Sequence, residues 1–159
     1  MTINFIAVGK IKESWYRDAC AEYLKRMGAF AQTRVYEPSP ADIPQSPTDA
    51  QIQRALSQEA VRIGESIRHG SYTVAMCIEG EQLSSEKLAA MLARLANGGT
   101  STVNFVVGSS HGLAGELKRS ADFRMSMSPM TFPHSLARVM LYEQVYRALS
   151  INNNSKYHK

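Results

Sequence analysis

The sequence is poor in the features that mark several common protein classes. No apolar run approaches the ~18 residues needed to cross a bilayer, and the chain does not open with the basic-then-apolar pattern of a secretory leader. Both absences point to a cytoplasmic protein rather than a membrane or exported one. There are two cysteines, Cys20 and Cys77, far apart and set among apolar residues. They read as reduced thiols, not as a disulfide. The four histidines, His69, His111, His134 and His158, have no partner at i, i+4 and no Cys-x-x-Cys beside them, so no metal site is expected. No G-x-x-x-x-G-K-[ST] occurs, and the first apolar segment runs into "VGKIKESW" rather than G-x-G-x-x-G. Phosphate loops and the usual dinucleotide fingerprint are thereby excluded.

What remains is an ordinary globular composition, 44% hydrophobic and 20% charged over 159 residues. That length suits one domain, 1–159, burying roughly 70% of its unfolded surface. A net charge of +4 permits a nucleic-acid partner without requiring one.

Short apolar segments alternate with helical patterns. "INFIAVG" (Ile3 to Gly9), Thr33 to Tyr36, "YTVAMCI" (Tyr72 to Ile78), "VNFVVG" (Val103 to Gly108) and Phe123 to Met127 read as strands. Ser14, the Ser46-Pro47-Thr48-Asp49 run and Ser84 read as helix starts, and Gly28 and Gly98-Gly99 as stops. The first helix has a core face of Tyr16, Cys20, Tyr23, Leu24 and Met27. The second buries Ile52, Leu56, Ala60, Ile63 and Ile67. A short helix around Glu116 to Arg119 and a last one from Ser135 to about Ser150 complete the set. "EPSPADIPQSP", Glu37 to Pro47, holds four of the six prolines and is a loop. Strands apolar on both faces and separated by helices argue an α/β domain with a mostly parallel sheet covered on both sides.

Ligands of such sheets bind at the carboxyl ends of the strands. The stretches to search are therefore "EGEQ" after Ile78, "GSSHG" after Val107 and "SPMTFPH" after Met127. "GSSHG" matches the nucleophile-elbow pattern, with Ser110, Asp122 and His134 or His158 in the chain order of a hydrolase triad. The plainer reading is that Gly108 and Gly112 permit close backbone approach. The "SPMTFPH" loop carries almost no charge and offers methionine, serine, threonine and phenylalanine. It suits a ligand with an apolar body and few polar handles.

The last helix has an apolar arc of Ala137, Leu141, Tyr142, Val145, Ala148 and Leu149. Its other side mixes Leu136, Val139, Met140 and Tyr146 with Arg138, Glu143 and Arg147, a composition typical of interfaces. One face is expected on the sheet and the other on a second copy of the chain. Glu143 and Arg147, at i and i+4, also fit a plain surface pair.

"FVVGSSHGL", "MSMSPMTFPHSLARVMLYEQVYRA" and the terminal "YHK" resemble the ribosomal RNA large-subunit methyltransferase H family, part of the SPOUT superfamily of knotted methyltransferases. The resemblance runs from the "AVGK" opening to the tail. It implies a SPOUT-type α/β fold with a C-terminal trefoil knot, a homodimer, and S-adenosylmethionine as methyl donor. It implies N3 of a pseudouridine in large-subunit ribosomal RNA as acceptor. Carried over by motif, the cofactor positions are Met76, Gly108, Met127, Ser128, Pro129, Met130, Thr131 and Phe132. Where the family often shows Gly-Gly after the fourth strand, this chain has Gly108-Ser109. Loss of the acceptor proton directs attention to His158, Tyr157, Arg138 and Glu143 as candidate catalytic residues. Lys156 and Lys159, with Lys10, Lys12, Lys118, Arg119 and Arg124, are expected to meet RNA phosphates. The competing readings are a SPOUT enzyme acting on transfer RNA and a non-enzymatic RNA- or ribosome-binding module.

Overall fold

The computed structural model describes residues 1–158; Lys159 lies outside the described residues. Five strands, β1 (Thr2–Ala7), β2 (Gln32–Tyr36), β3 (Tyr72–Gln82), β4 (Thr102–Val107) and β5 (Phe123–Ser126), alternate with five helices. The helices are α1 (Ser14–Met27), α2 (Asp49–Gly64), α3 (Ser85–Asn97), α4 (Gly115–Ser120) and α5 (His134–Asn152). The strands form one parallel sheet in the order β2-β1-β4-β3-β5. The α/β reading of the sequence therefore holds.

Side chains alternate across the strands, and each face has its own core. Ile3, Phe5 and Ala7 join α1, α3 and α5 on one face, while Ile6 and Val8 join α2 and α4 on the other. The Tyr142 ring of α5 lies 4.0 Å from that of Phe5, which sits 5.9 Å from Phe105. A polar row crosses the lower half of the sheet. Asn4 Nδ2 donates to Asn104 Oδ1 at 2.9 Å, and Asn104 Nδ2 donates to Ser71 Oγ at 2.7 Å. Asn4 and Asn104 are direct register partners. A slip of one residue would send them to opposite faces, so the pair fixes the β1–β4 alignment.

The structure moves several element boundaries. Ser14 is the first residue of α1, and Glu13 holds the cap position without a side-chain bond. Thr48, not Ser46, caps α2: its hydroxyl accepts from Gln51 N while Gln51 Oε1 accepts from Thr48 N. Pro47 therefore precedes the cap instead of opening the helix. Only Leu56 and Ile63 of the five expected core residues of α2 are fully buried; Ala55 and Glu59 join them.

The largest departure concerns Arg138. Expected on the outward side of α5, it is 2% exposed. Its Nη2 donates to Glu37 Oε1 at 2.7 Å and its Nη1 to the carbonyl of Gly9 at 3.1 Å. Positions 138, 141, 142, 145 and 149 lie on one stripe, so the helix carries the arginine inward with its apolar neighbours. The first turns of α5 are thus tied to the ends of β1 and β2. The buried guanidinium and Glu37, whose side chain is 30% exposed, lose differently when separated. Glu37→Ala leaves a buried cation and is expected to cost about 3 kcal/mol in urea unfolding. Arg138→Met is expected to cost less, because Glu37 still reaches water.

Candidate functional site

A cleft of about 730 Å³ opens where β3, β4 and β5 end, within the size range of small-molecule sites. Its floor and walls are mainly apolar, with Met76, Val107, Met125, Met127, Phe132 and Leu141 among the lining residues. Three irregular segments shape it, each held by identifiable bonds.

The first follows β4. Ser109 and Gly112 form an isolated bridge, Gly112 N donates to Ser109 O at 2.9 Å, and Gly112 has φ +86°. A Cβ on Gly108 would stand 2.1 Å from the Gly112 carbonyl oxygen. Gly108 is therefore required by the loop's own backbone rather than by a ligand passing over it. Ser109 Oγ donates to Glu59 Oε2 at 2.9 Å, and Glu59 Oε1 accepts from Ala41 N at 3.0 Å. This 5%-exposed carboxylate anchors both the cleft loop and the proline-rich segment.

The second segment lies within β3. Met76 pairs with Met125, and so does Glu81, so the residues between them leave the ladder as a wide bulge. The expected "EGEQ" loop is this excursion, counted as part of the strand. It carries Cys77, Ile78 and Glu79 into the cleft wall. At Gly80 an added Cβ would come within 2.6 Å of the Met125 backbone, so only glycine lets the chain return to β5. Lys118 pairs with Glu79, whose carboxyl is held below its usual range by that bond.

The third segment joins β5 to α5. Ser126 Oγ donates to Ser128 O at 3.1 Å, and Met130 N donates to Ser128 Oγ at 3.0 Å. The turn is thus pinned while Met130 remains 70% exposed. Of the eight expected cofactor positions, Met76, Gly108, Met127, Ser128, Met130, Thr131 and Phe132 line the cleft, and Pro129 does not. Ile78, Glu79, Ala137 and Leu141 line it as well. Their places past a strand end and on the first turns of the following helix were the available signal.

The four candidate catalytic residues do not assemble together. None of Arg138, Glu143, Tyr157 and His158 lines this chain's cleft, and neither does Lys156. Glu143 is instead a hub on the outward side of α5. Its Oε1 accepts from Arg147 Nε at 2.9 Å and Tyr157 OH at 3.1 Å, and its Oε2 from Gln144 Nε2 at 2.7 Å. The Tyr157 ring packs 4.6 Å from Tyr146 with the Arg147 guanidinium 4.7 Å above it. His158 Nε2 meets Glu86 Oε1 at 3.0 Å, while its Nδ1 is buried without a partner. The tail is thus docked across α5 and the start of α3. Loss of solvent, then hydrogen bonding to Tyr23 and Glu143, pushes the Tyr157 phenol up to about 12. At neutral pH it donates a proton and cannot accept one.

The hydrolase reading fails on geometry. Asp122 Oδ2 accepts from Thr73 N at 2.7 Å, at the start of β3, whereas Ser110 lies beyond the end of β4. In a parallel sheet these are opposite ends. Among the described residues no group of three His, Cys, Asp or Glu could hold a metal ion, and no helix is long and apolar enough to cross a membrane. Neither cysteine is bonded; burial pushes the Cys20 thiol up to about 11.

Comparison with known proteins decides the family. Residues 1–158 match the model described as "Predicted SPOUT methyltransferase". Two proteins named ribosomal RNA large subunit methyltransferase H, from Bifidobacterium adolescentis and Bacillus thuringiensis, are each 42% identical over 159 residues, covering both chains completely. This chain belongs to the ribosomal RNA large-subunit methyltransferase H family. Solved structures repeat its fold at lower identity. One, described as a probable methylase family protein from Haemophilus influenzae, has TM-score 0.56 at 16% identity, spanning 99% of this chain and 70% of its own. A second, described as a probable methyltransferase from Bordetella pertussis, has TM-score 0.54 at 14% identity, spanning 92% and 95%.

Two outcomes are expected of this member of the SPOUT family. Gly108→Ala should lower stability by about 1–3 kcal/mol in urea unfolding, since backbone must yield to the new methyl. Gly64→Ala, where a Cβ meets nothing within 4 Å, serves as the neutral control. A phenol held near 12 binds its proton through the range where an unfolded tyrosine, near 10, releases it. Its contribution to stability is therefore complete below pH ~10 and is lost as pH rises through the folded value. Spectrophotometric titration of wild type against Tyr157→Phe should accordingly show no Tyr157 ionisation below pH ~11.

Proposed function

We propose that the chain is an S-adenosylmethionine-dependent methyltransferase of large-subunit ribosomal RNA, modifying N3 of a pseudouridine and acting in the cytoplasm as a homodimer. The observation that carries this reading is the cleft at the strand ends, lined by the Met127–Phe132 loop, in a chain whose full-length relatives are named for that RNA. The path of β4, α4, β5 and α5 is compatible with the knot of the SPOUT fold.

The residues present fit the donor. An apolar, sulfur-rich cleft accommodates adenine and a thioether-like chain, with Met76, Met127 and Phe132 against flat or aliphatic surfaces. The backbone of the post-β4 and post-β5 loops offers donors and acceptors to the base edge, and the Glu79–Lys118 pair at the wall can meet polar ends. Bound there, S-adenosylmethionine supplies an already activated methyl group. The chain's own task is to hold the acceptor nitrogen in line with it, about 3 Å away, and to keep water out.

The imide N–H of the acceptor must lose its proton, and the His158 imidazole is our candidate base. Tyr157 keeps its proton at neutral pH and would hydrogen-bond rather than deprotonate. Both belong to a tail outside their own cleft, on the face read as a partner surface. We therefore assign the tail to the dimer, one copy presenting Tyr157 and His158 toward the acceptor held by the other. Glu143 and Arg147 position that tail through Tyr157. Arg138 is better read as a structural residue setting α5. Lys156 and Lys159 would add cations for RNA phosphates.

The test is transfer of labelled methyl from S-adenosylmethionine to ribosomes from a strain lacking this gene, with transfer RNA in parallel. Label on a large-subunit pseudouridine is expected, and label on transfer RNA alone would move the substrate. His158→Ala should lower kcat by about 10²–10⁴-fold with donor affinity unchanged. Mixing His158→Ala subunits with subunits unable to bind donor should restore part of the activity if the tail works across the dimer.

A further inference from the structure

Trp15 is the only tryptophan in the chain, and it is 66% exposed in the first turn of α1. No other exposed large hydrophobic side chain comes from α1 or the loop before it. The ring is therefore not part of an apolar patch of the kind that forms the core of a protein interface.

Its support is rigid. Ile11 is buried, Arg17 Nη1 donates to Lys12 O at 2.6 Å, Gly9 N donates to Pro38 O at 2.8 Å, and Arg138 grips Gly9 O. Tyr16, 5.9 Å from the indole, turns back onto the core. Lys10 and Lys12 precede the tryptophan by five and three residues, both exposed and in no ion pair among the described residues. The nearby acids are Glu13, half-buried, and Asp18, a turn along α1.

The segment begins at the end of the sheet where the cleft opens. β1 lies beside β4, and Val8 N donates to Val107 O at 3.1 Å, where Val107 and Gly108 line the cleft. The loop bearing both lysines leaves that end of the sheet and runs into α1, whose second residue is Trp15.

We propose that Trp15, with Lys10 and Lys12, is a stacking platform for an unpaired base of the RNA strand that presents the acceptor nucleotide. This rests on the function proposed above. An exposed indole that follows two exposed, unpaired lysines in the chain matches the chemistry of single-stranded RNA: a π-face for one base and cations for adjoining phosphates. Stacking of this kind is tolerant of sequence, so the platform would grip the strand and leave the choice of nucleotide to the cleft.

Because Trp15 is the sole tryptophan, its fluorescence reports this site alone. Titrating the full-length protein with a 12-nucleotide oligouridylate should quench it saturably, while duplex RNA of equal length should not. Affinity should fall with salt, with a slope reduced by about 0.7 in each of Lys10→Gln and Lys12→Gln. Trp15→Ala should raise KM for ribosomes about 10-fold, Trp15→Phe should retain most of the wild-type value, and donor affinity should stay constant throughout. An unchanged ribosome KM in Trp15→Ala, or no quenching by oligouridylate, overturns the proposal. So does a blue shift that follows protein concentration without response to RNA, which would assign the ring to a second copy. If the wild type methylates no ribosomal RNA, the functional reading fails, and the fluorescence titration still decides the platform.

Discussion

A guanidinium with almost no access to water sets the geometry at the top of this fold. Arg138 joins α5 to the ends of β1 and β2 through Gly9 and Glu37, with the Tyr142 hydroxyl beside it. Burial opposes its charge, and the Glu37 carboxylate paired with it at 2.7 Å offsets that cost. An unpaired charge there would be costly, so the helix can start in few other places. Pro133, His134, Ala137 and Leu141, which form one wall of the cleft, follow from that placement. The same anchor holds Gly9, at the start of the loop that leads into α1 and Trp15.

The cleft itself is made of irregular chain stiffened by a small number of polar contacts. Glu59 holds the post-β4 loop and the proline-rich segment together, Ser128 closes the turn after β5, and Glu79 and Lys118 join the β3 excursion to α4. Regular ladders supply the floor, where precision comes from register. The rims take their shape from glycines that tolerate no Cβ and from side chains bonded to backbone. Such a site is specified twice, by packing beneath and by hydrogen bonds around, which suits a reaction needing alignment more than new covalent chemistry.

Much of this was legible in the sequence, and each miss has a physical cause. The strands showed as apolar runs, and the Ser84 cap, the glycine stops and the uncharged loop after β5 fell where expected. Arg138 was misplaced and Glu59 overlooked because residue type outweighed position. Arg138 is spaced i+3, i+4 and i+7 from Leu141, Tyr142 and Val145, and Glu59 lies i+3 from Leu56 and i−4 from Ile63. Both spacings mark a buried stripe. The wide bulge in β3 gave no periodic signal, since it depends on Gly80 meeting the backbone of a strand 45 residues later. The family, by contrast, was carried by the motifs of the last third.

The strand order has a consequence in time. β1 lies inside the sheet between β2 and β4, and Asn4 finds Asn104 only after 100 further residues exist. At about 5–20 residues per second, the first strand waits on the order of 5–20 s for its neighbour during synthesis. Until α5 follows, the slot between α1 and α3 stays open as well. A nascent chain of this kind carries an unfilled groove and an unpaired strand edge for most of its assembly.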